Sequence, residues 1–426
     1  MGRSDIQQAV QGVLDGVTQD PQKAPGIVFV AVDKNGDTLT ANASGHRSVN
    51  GKKPMDLDTV FWIASCTKLL ATIACLQLVE QGKLHLDDPK HLYQHVPEIE
   101  KLQVLQDDLT LKPREGDITL RQLLTHTAGF GYSFLNKKLR DFGRPMGLDE
   151  FDDDTDSILN TPLVNQPGSR WEYGTNIDWA GIYAERVSGT TLNDLLQKNI
   201  LEPLGLENIN MFPTPSMKEN LASMHQRWPG STELSERDHP WRKPLLADSP
   251  EAKKQVLNSG GAGCYAKPTE YVQVLATLLN DGKHPKSGVQ ILKKETVEEM
   301  FKNQIPDFPD FARQHIEASK PEWSNSLPEL YPQAGNPPQG WGLSFHLLIE
   351  PGPTGRGANS VNWAGIANLF YWIDREKGVA GMIASQVLPF GDPHVMGAWA
   401  MSEAMVYQNL GHVSEVKEGV DKLSLS

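Results

Sequence analysis

Residues 61–76 read Phe-Trp-Ile-Ala-Ser-Cys-Thr-Lys-Leu-Leu-Ala-Thr-Ile-Ala-Cys-Leu. The stretch predicts a largely buried helix that begins near Ser65, because nearly every residue after Lys68 is apolar. Ser65 and Lys68 would share one helix face, so the lysine amine can reach the serine hydroxyl. Free backbone N–H groups at the helix start favour developing negative charge, and apolar surroundings favour the neutral amine, which can act as a base. We therefore predict a serine nucleophile, Ser65, with Lys68 as its general base.

The Ser-x-x-Lys spacing alone carries little information, since the chain repeats it at Ser414 and Lys417. That second copy lies in a polar tail without an apolar helix behind it, and we interpret it as chance. For the first copy, the spacing leaves another interpretation open, in which Ser65 caps the helix and Lys68 extends to solvent. The chain has neither a Gly-x-Ser-x-Gly sequence nor a Gly-x-x-x-x-Gly-Lys-Ser/Thr sequence, which disfavours α/β-hydrolases and P-loop proteins.

Composition narrows the classes of partner. The 426 residues carry a formal net charge of -13, which disfavours nucleic acid and anionic membranes as partners. The cysteines at 66, 75 and 264 cannot form a disulfide framework and fit a reducing compartment. No close His/Cys cluster occurs, so we expect no metal and no other cofactor. The polar first residues lack a secretory signal and no apolar stretch could span a membrane, so we expect a cytoplasmic protein.

Both ends of the chain predict strands accompanied by helices. The amino-terminal part has an amphipathic helix pattern over 4–18 and a hairpin pattern over 26–41, with its turn at Asn35-Gly36. The carboxy-terminal part predicts strands over 341–348, 366–374 and 379–385 and a helix from about Val395 to Gln408. In the middle, helical periodicity dominates over 65–81, 119–126, 176–199 and 268–281.

This pattern predicts an α/β domain made from both termini, residues 1–64 plus 335–426, with a mostly helical region inserted at 65–334. Two segments resist assignment, 212–256 and 304–340, because both are rich in proline. Loops of that length are often lids or binding loops. A cleft between two such units is a common place for a ligand.

Two further stretches of sequence, together with the one around Ser65, form a recognisable series of motifs along the chain. Tyr173-Gly174-Thr175-Asn176 follows Trp171 and opens a helix, and Trp363-Ala364-Gly365 lies in the strand-rich end. Together with Ser65-Cys66-Thr67-Lys68, they resemble, in order, the motifs of the serine β-lactamase and penicillin-binding-protein superfamily. They look most like its esterase branch, the family VIII carboxylesterases and the lovastatin-type acyltransferase. Two framing segments resemble the family as well, Leu120 to Gly129 and Ser259 to Tyr265.

The resemblance implies an α+β fold, with an antiparallel sheet flanked by helices from both termini and an inserted, mostly helical region. It also implies roles for particular residues. Ser65 would be acylated, Lys68 would take its proton, and Tyr173 would lie within hydrogen-bond reach of both. Backbone N–H groups of Ser65 and Ile366 would form an oxyanion hole. The substrate would contact the strand edge and a neighbouring aromatic side chain, through Trp363, Gly365 and Trp171.

Two nearby polar residues are assigned more modest roles. Asn176 departs from the Tyr-x-Asn spacing of class C β-lactamases, and we expect it to cap the helix that follows Tyr173. His126, in a Thr-His-Thr stretch, is expected to be structural rather than catalytic.

One departure from the family pattern bears on the substrate. Trp363 stands where β-lactam-recognising relatives have the lysine of Lys-Thr-Gly, and a neutral indole cannot pair with a carboxylate. We therefore expect an acyltransferase that takes an acyl group from a small-molecule ester or thioester, including thioesters of coenzyme A or of a carrier protein. A small-molecule hydroxyl would accept the acyl group, as in secondary metabolism. The main alternative is a carboxylesterase; a β-lactamase or peptidase, and a non-catalytic relative that only binds, are lesser ones.

Overall fold

A seven-stranded antiparallel sheet lies at the centre of the structure, a computed structural model that describes residues 3–423, with side chains described as far as Leu410. In the described chain, strands β1 to β15 are Gly26–Asp33, Thr38–Gly45, Phe61–Trp62, Gln103–Leu105, Leu111–Pro113, Ile209–Asn210, Met224–Arg227, Leu234–Arg237, Tyr265–Ala266, Gln339–Trp341, His346–Leu348, Ser360–Gly365, Leu369–Asp374, Val379–Ala384 and Val387–Leu388.

The α-helices of the same residues, α1 to α16, are Arg3–Thr18, Thr67–Glu80, Pro89–His95, Pro97–Glu100, Leu120–Leu124, Lys137–Gly143, Thr155–Leu159, Asn176–Ser188, Leu192–Leu196, Glu202–Leu204, Pro215–Glu219, Lys243–Leu246, Pro250–Lys253, Pro268–Leu279, Lys294–Met300 and Pro393–Leu423. Short 3₁₀ turns cover Ala64–Cys66, Arg144–Met146 and Phe311–Arg313, and a π-helical turn covers Gln197–Leu201.

The central sheet joins the two ends of the chain. Its strand order is β10-β11-β12-β13-β14-β1-β2. Strand β1 lies between β2 and β14, so Val28 pairs with Ala43 on one side and with Ala384 on the other. The predicted amino-terminal hairpin and the predicted α+β fold are both confirmed. The exact domain boundaries, 64/65 and 334/335, stay a prediction.

Helices cover both faces of the sheet. Alternate residues of a strand point to opposite faces, so Ile27 and Phe29 of β1 join the core beneath α1 and α16, whereas Val28 and Val30 join the larger core on the other face. Helix α14 packs on that second face against β1 and β14. Because both faces are buried, β1 is almost continuously apolar instead of alternating between apolar and polar residues.

The strand predicted over 341–348 is instead two short strands. Strands β10 and β11 form a tight hairpin in which Gly342 N–H donates to Phe345 O at 2.9 Å. Ser344 lies in this turn with φ of +79°. The sequence 341–348 has no Asn-Gly or Asp-Gly turn signal, and its apolar pattern continues through the turn. The strand predicted over 366–374 begins later, at Leu369, after a turn that follows β12.

The two unassigned segments differ in the structure. Segment 212–256 is not a plain loop: it contains α11 to α13 and the hairpin of β7 and β8, and β7 pairs in parallel with β15. Segment 304–340 has little regular structure. Reciprocal backbone hydrogen bonds between Ile316 and Leu327, of 2.8 and 2.9 Å, fix its centre. No helix in the described chain is long and apolar enough to cross a membrane.

Candidate active site

Ser65 lies in the 3₁₀ turn that connects β3 to α2. The residue before it, Ala64, has φ of +43°. This left-handed conformation costs a non-glycine residue about 1–2 kcal/mol, so the surrounding packing has to hold it. Helix α2 supplies that packing, because every residue from Thr67 to Leu76 is buried. Ser65 is therefore held rigidly at the base of a cleft.

Lys68 is completely buried on the first turn of α2. Its Nζ lies 3.0 Å from Ser65 Oγ, 3.0 Å from Tyr132 Oη and 2.9 Å from Gly261 O. A carbonyl oxygen can only accept, so the amine must donate to Gly261. In its neutral form the amine has two N–H donors and one lone pair, and this geometry leaves the lone pair for the hydroxyl of Ser65 or Tyr132. The arrangement can therefore take a proton from Ser65.

Gly261, whose carbonyl oxygen accepts the hydrogen bond from Lys68, is held in place by the buried carboxylate of Asp178. Asp178 Oδ1 accepts hydrogen bonds from Ser259 Oγ at 2.5 Å and from Gly261 N at 3.0 Å. A Cβ on Gly261 would lie 2.4 Å from Asp178 Oδ2, so the close approach requires glycine. Burial raises the pKa of Asp178, and the Lys68 cation opposes that shift. Asp178 thus fixes the Ser259–Tyr265 segment against Lys68.

Tyr173 lies beside Lys68 but does not make the hydrogen bond that the family resemblance implied. Its Oη accepts a hydrogen bond from Trp363 Nε1 at 3.0 Å, and its ring centre lies 4.8 Å from Lys68 Nζ. Among the described residues, Tyr132 provides the phenol hydroxyl that is hydrogen-bonded to Lys68. The pKa of Tyr132 lies well above its ordinary value because the residue is buried and has Asp178 as a neighbour. The site therefore contains two tyrosines, with ring centres 5.1 Å apart.

Sequence reasoning missed Tyr132. The residue lies just after the Leu120–Gly129 segment, in Gly129-Phe130-Gly131-Tyr132. An aromatic residue next to closely spaced glycines was the available signal, because glycines mark close backbone approach. Asp178 was missed as well, although an acidic residue within an apolar helix was visible in the sequence.

Strand β12 brings its predicted residues to the same place as Ser65. Strand β11 pairs with β12 at Ser360, Val361 and Asn362, so among the described residues no strand lies beside the edge from Trp363 to Gly365 on that side. A Cβ on Gly365 would lie 2.5 Å from Ile63 O, so glycine lets this edge approach the Ser65 turn. Ser65, Trp363, Gly365 and Ile366 all line one cleft.

The cleft is mainly apolar. Its volume is about 890 Å³, a figure that includes space open to solvent. Trp171, which is predicted to contact the substrate, lines the cleft and is 4% exposed. Segment 304–340 covers one side through Ile316, Leu327 and Leu330, and Met396 and Trp399 of α16 extend the wall on the far side of β12.

His126 and Asn176 interact with each other beneath the site. His126 is buried, with its Nδ1 2.9 Å from Asn176 Nδ2, and its ring centre lies 4.8 Å from that of Tyr173. Burial lowers the pKa of His126 well below its ordinary value, and the Lys68 cation adds to this effect. The prediction that Asn176 caps the helix is wrong: Thr175 occupies the cap position, and Asn176 turns its amide to His126 and Glu172.

The remaining candidate groups are the second Ser-x-x-Lys pair, possible metal ligands and the cysteines. The side chains of Ser414 and Lys417 lie outside the described residues. Within the described chain, no group of three or more His, Cys, Asp or Glu residues is arranged to hold a metal ion. The three cysteines are free and buried. Burial raises the pKa of the Cys75 and Cys264 thiols to about 12, and that of Cys66 even further.

Comparison with known proteins agrees with this architecture. The profile of a family described as Beta-lactamase matches residues 7–405. The chain is 32% identical over 391 residues to monacolin J acid methylbutanoyltransferase of Aspergillus terreus, covering 87% of this chain and 89% of that protein. It is 31% identical over 387 residues to lovastatin esterase of Penicillium rubens, covering 87% of this chain and 91% of that protein.

A solved structure extends the match to the fold. The unliganded simvastatin synthase (LovD) from Aspergillus terreus superposes with a TM-score of 0.79 at 28% sequence identity. The superposition covers 95% of this chain and 98% of that one. Hence both the core and most of the surface segments have counterparts in that structure.

Proposed function

The chain belongs to the beta-lactamase family, as a relative of its acyltransferases and esterases, and on this basis we propose that it is a serine acyltransferase. The acyl donor is a small-molecule ester or thioester, and the acceptor is a small-molecule hydroxyl. The observation that carries the proposal is the Lys68 amine, buried and in hydrogen-bond contact with Ser65 Oγ beneath an apolar cleft.

In the first step, Ser65 Oγ attacks the carbonyl carbon of the donor while its proton passes to Lys68 Nζ. The negative charge on the carbonyl oxygen is stabilised by the backbone N–H groups of Ser65 and Ile366. The carbon–sulfur or carbon–oxygen bond to the leaving group then breaks, and the leaving group takes up a proton. An acyl ester on Ser65 remains.

In the second step, the acceptor hydroxyl attacks the same carbonyl carbon and loses its proton to Tyr173 Oη, which gave its own proton to the leaving group. The Ser65–acyl bond breaks, and Ser65 Oγ recovers its proton from Lys68 Nζ. We assign proton transfer at the leaving group and acceptor to Tyr173, which faces the cleft and receives the Trp363 N–H. Tyr132 holds Lys68 in place.

The first experiment tests the acyl-enzyme. The protein is incubated with butyryl-N-acetylcysteamine, a short thioester, and its mass is measured intact and after digestion. We expect one butyryl group on the peptide that contains Ser65 and none on Ser65→Ala. The Ser414→Ala variant is a matched control, because it alters the second Ser-x-x-Lys, and it should be acylated like the unaltered protein. Acylation that persists in Ser65→Ala would refute the proposal.

Hydrolysis is the second candidate, because the chain matches a lovastatin esterase about as well as it matches a transferase. The same residues would serve, with water in place of the hydroxyl acceptor. Turnover of p-nitrophenyl butyrate with increasing concentrations of an alcohol separates the two. Transfer predicts that the butyrate ester of the alcohol replaces free butyrate in the products, whereas an esterase releases free butyrate throughout.

A further inference from the structure

The walls of the Ser65 cleft hold a single charged side chain among the described residues. Nine of the lining residues are aromatic, including Trp171, Trp363 and Trp399. The charged one is Glu329, in segment 304–340. No lysine or arginine side chain lines the cleft in this part of the molecule. The surroundings of a bound ligand are therefore aromatic and aliphatic side chains, a few neutral polar groups and one carboxylate.

The backbone around Glu329 is fixed on both sides. Leu327, before it, exchanges two hydrogen bonds with Ile316, and Leu330 N–H, after it, donates to Ala312 O at 2.8 Å. Glu329 itself is half-buried. Within the described chain its carboxylate makes no hydrogen bond and no ion pair. The fold thus holds an unpaired carboxylate at the edge of an apolar cleft.

Cations on neighbouring segments are already paired. Arg170, next to Trp171, lies 3.6 Å from a carboxylate oxygen of Glu172. Lys320, in the same segment as Glu329, lies 3.3 Å from Asp149. Arg356, whose guanidinium stacks on Trp399, is bound to Glu403. The charge of Glu329 is therefore left for a ligand to balance.

A bound ligand would displace water from Glu329, and the free-energy cost of that step depends on the charge of the ligand. A neutral ligand leaves the carboxylate less solvated and without a partner, and an anionic ligand adds repulsion. A cationic ligand offsets the cost of desolvating Glu329 by pairing directly with its carboxylate. It also gains from contact with the aromatic faces, which attract cations. The expected order of preference is cation, then neutral molecule, then anion.

We propose that Glu329 makes this cleft select small-molecule substrates that carry an ammonium group and reject those that carry a carboxylate. The proposal rests on the proposed function, because the selected molecule is the donor or acceptor of the acyl group. It concerns binding at the cleft edge and adds no chemical step.

The test uses matched butyryl thioesters that differ in the charge of the leaving group. Butyrylthiocholine is cationic, S-(3,3-dimethylbutyl) thiobutyrate is its neutral isostere, and S-butyryl-3-mercaptopropionate is anionic. We expect kcat/KM, followed by thiol release, to fall about 3- to 20-fold at each step in that order. In the Glu329→Gln variant, the ratio of kcat/KM for the cationic thioester to kcat/KM for the anionic thioester should fall towards one. Glu317→Gln is the control, since Glu317 lies in the same segment without lining the cleft, and it should keep the wild-type ratio.

A second series puts the charge on the acyl group, in p-nitrophenyl esters of 4-(trimethylammonio)butyrate, 5,5-dimethylhexanoate and glutarate. The proposal requires the predicted order, and its loss in Glu329→Gln, in at least one series. If both series are flat, or if Glu317→Gln changes the ratio as much as Glu329→Gln, the proposal is wrong. If the proposed function itself is wrong, the result is different: even the neutral thioester leaves no acyl group on Ser65.

Discussion

At the scale of single residues, Trp363 contributes a neutral N–H donor to the cleft. Its indole N–H donates to Tyr173 Oη at 3.0 Å, and Tyr173 has the Lys68 amine over its ring. The indole thus orients the phenol without adding a positive charge to the cleft. Neutral hydrogen bonds of this kind contribute about 0.5–1.5 kcal/mol.

Replacing Trp363 with phenylalanine removes this N–H and keeps an aromatic ring. We expect kcat/KM for a neutral ester to fall about 2- to 10-fold, the equivalent of one neutral hydrogen bond. In a Tyr173→Phe background the same change should have a much smaller effect, because the acceptor oxygen is gone. Steady-state kinetics of the four proteins in this cycle measures the coupling.

Trp171→Phe provides the matched control for that cycle. Trp171 lines the same cleft, but its buried N–H has no partner in the described structure. Its coupling to Tyr173→Phe should therefore be smaller than that of Trp363→Phe. Equal coupling for the two tryptophans would mean that ring packing, and not the hydrogen bond, links Trp363 to Tyr173.

How far the site could be predicted depends on sequence separation. Ser65 and Lys68 lie three residues apart at the start of one helix, so their spacing, together with the apolar stretch that follows, was sufficient to predict them as a pair. Tyr132 and Gly261 reach Lys68 from 64 and 193 residues away, and no local pattern encodes that meeting. The prediction that Tyr173 makes a hydrogen bond to Lys68 was based on the order of motifs that the chain shares with the family. That order indicates that the Tyr173 ring lies near Lys68, but not where its hydroxyl points.

At the scale of elements, Glu185 connects α8 to α9. Its Oε1 accepts the N–H of Leu192, the first residue of α9, at 2.7 Å. Burial raises the pKa of Glu185 from the ordinary value of 4.5 to about 7. The folded protein therefore retains this proton to a higher pH than the unfolded chain does. Glu185 contributes its full stabilisation below about pH 4.5 and loses it as the pH rises towards 7.

Glu185→Gln should remove this pH dependence, because the amide resembles the protonated acid and its oxygen can still accept from Leu192. The variant should gain stability relative to wild type by about 1–3 kcal/mol between pH 5 and pH 8. Urea unfolding at the two pH values measures the difference.

Glu98→Gln is a control of opposite sign, since the hydrogen bond from Arg186 lowers the pKa of Glu98. The stability due to Glu98 is complete above pH 4.5, so its replacement should give the same difference from wild type at pH 5 and at pH 8. A Glu185→Gln variant that also shows a constant difference would contradict the assignment.

At the scale of the whole molecule, one buried ion pair ties the carboxy-terminal helix to the sheet. Arg356, just before β12, donates to Glu403 of α16 through Nε at 2.7 Å and Nη2 at 2.6 Å. Its third nitrogen donates to Asn362 Oδ1 at 2.8 Å, and Asn362 lines the cleft. Removing one partner of a buried pair leaves an uncompensated charge.

Arg356→Met should therefore destabilise the protein by about 3–5 kcal/mol, and Arg356→Met with Glu403→Met should recover much of that loss. The urea midpoint at pH 7 is the measurement. Lys377→Met removes the cation of an exposed pair with Glu376 and should leave the midpoint close to that of wild type. Equal midpoints for Arg356→Met and Lys377→Met would show that the buried pair is not needed.

The fold was more predictable than the site, for physical reasons. Helix α1 has a periodic apolar pattern because one side of it faces a core, and strand β1 is a nearly continuous apolar run because both of its faces are buried. Both were predicted close to their observed bounds. The β10–β11 hairpin was not predicted, because its turn uses Ser344 at positive φ in place of a recognisable turn dipeptide. The covering role of segment 304–340 depends on long-range contacts such as Ser319 N–H to Phe134 O, which leave no local signature.

The burial of all three native thiols makes the protein a suitable host for spectroscopic labels. The side chains of Cys66, Cys75 and Cys264 are inaccessible in the folded state, so a thiol reagent reacts with them only when the structure opens. The rate at which they are alkylated therefore measures how often the folded structure opens. A single cysteine placed on segment 304–340 would react alone in the native protein. A fluorophore attached there could report, in real time, how the cleft admits and releases its ligands.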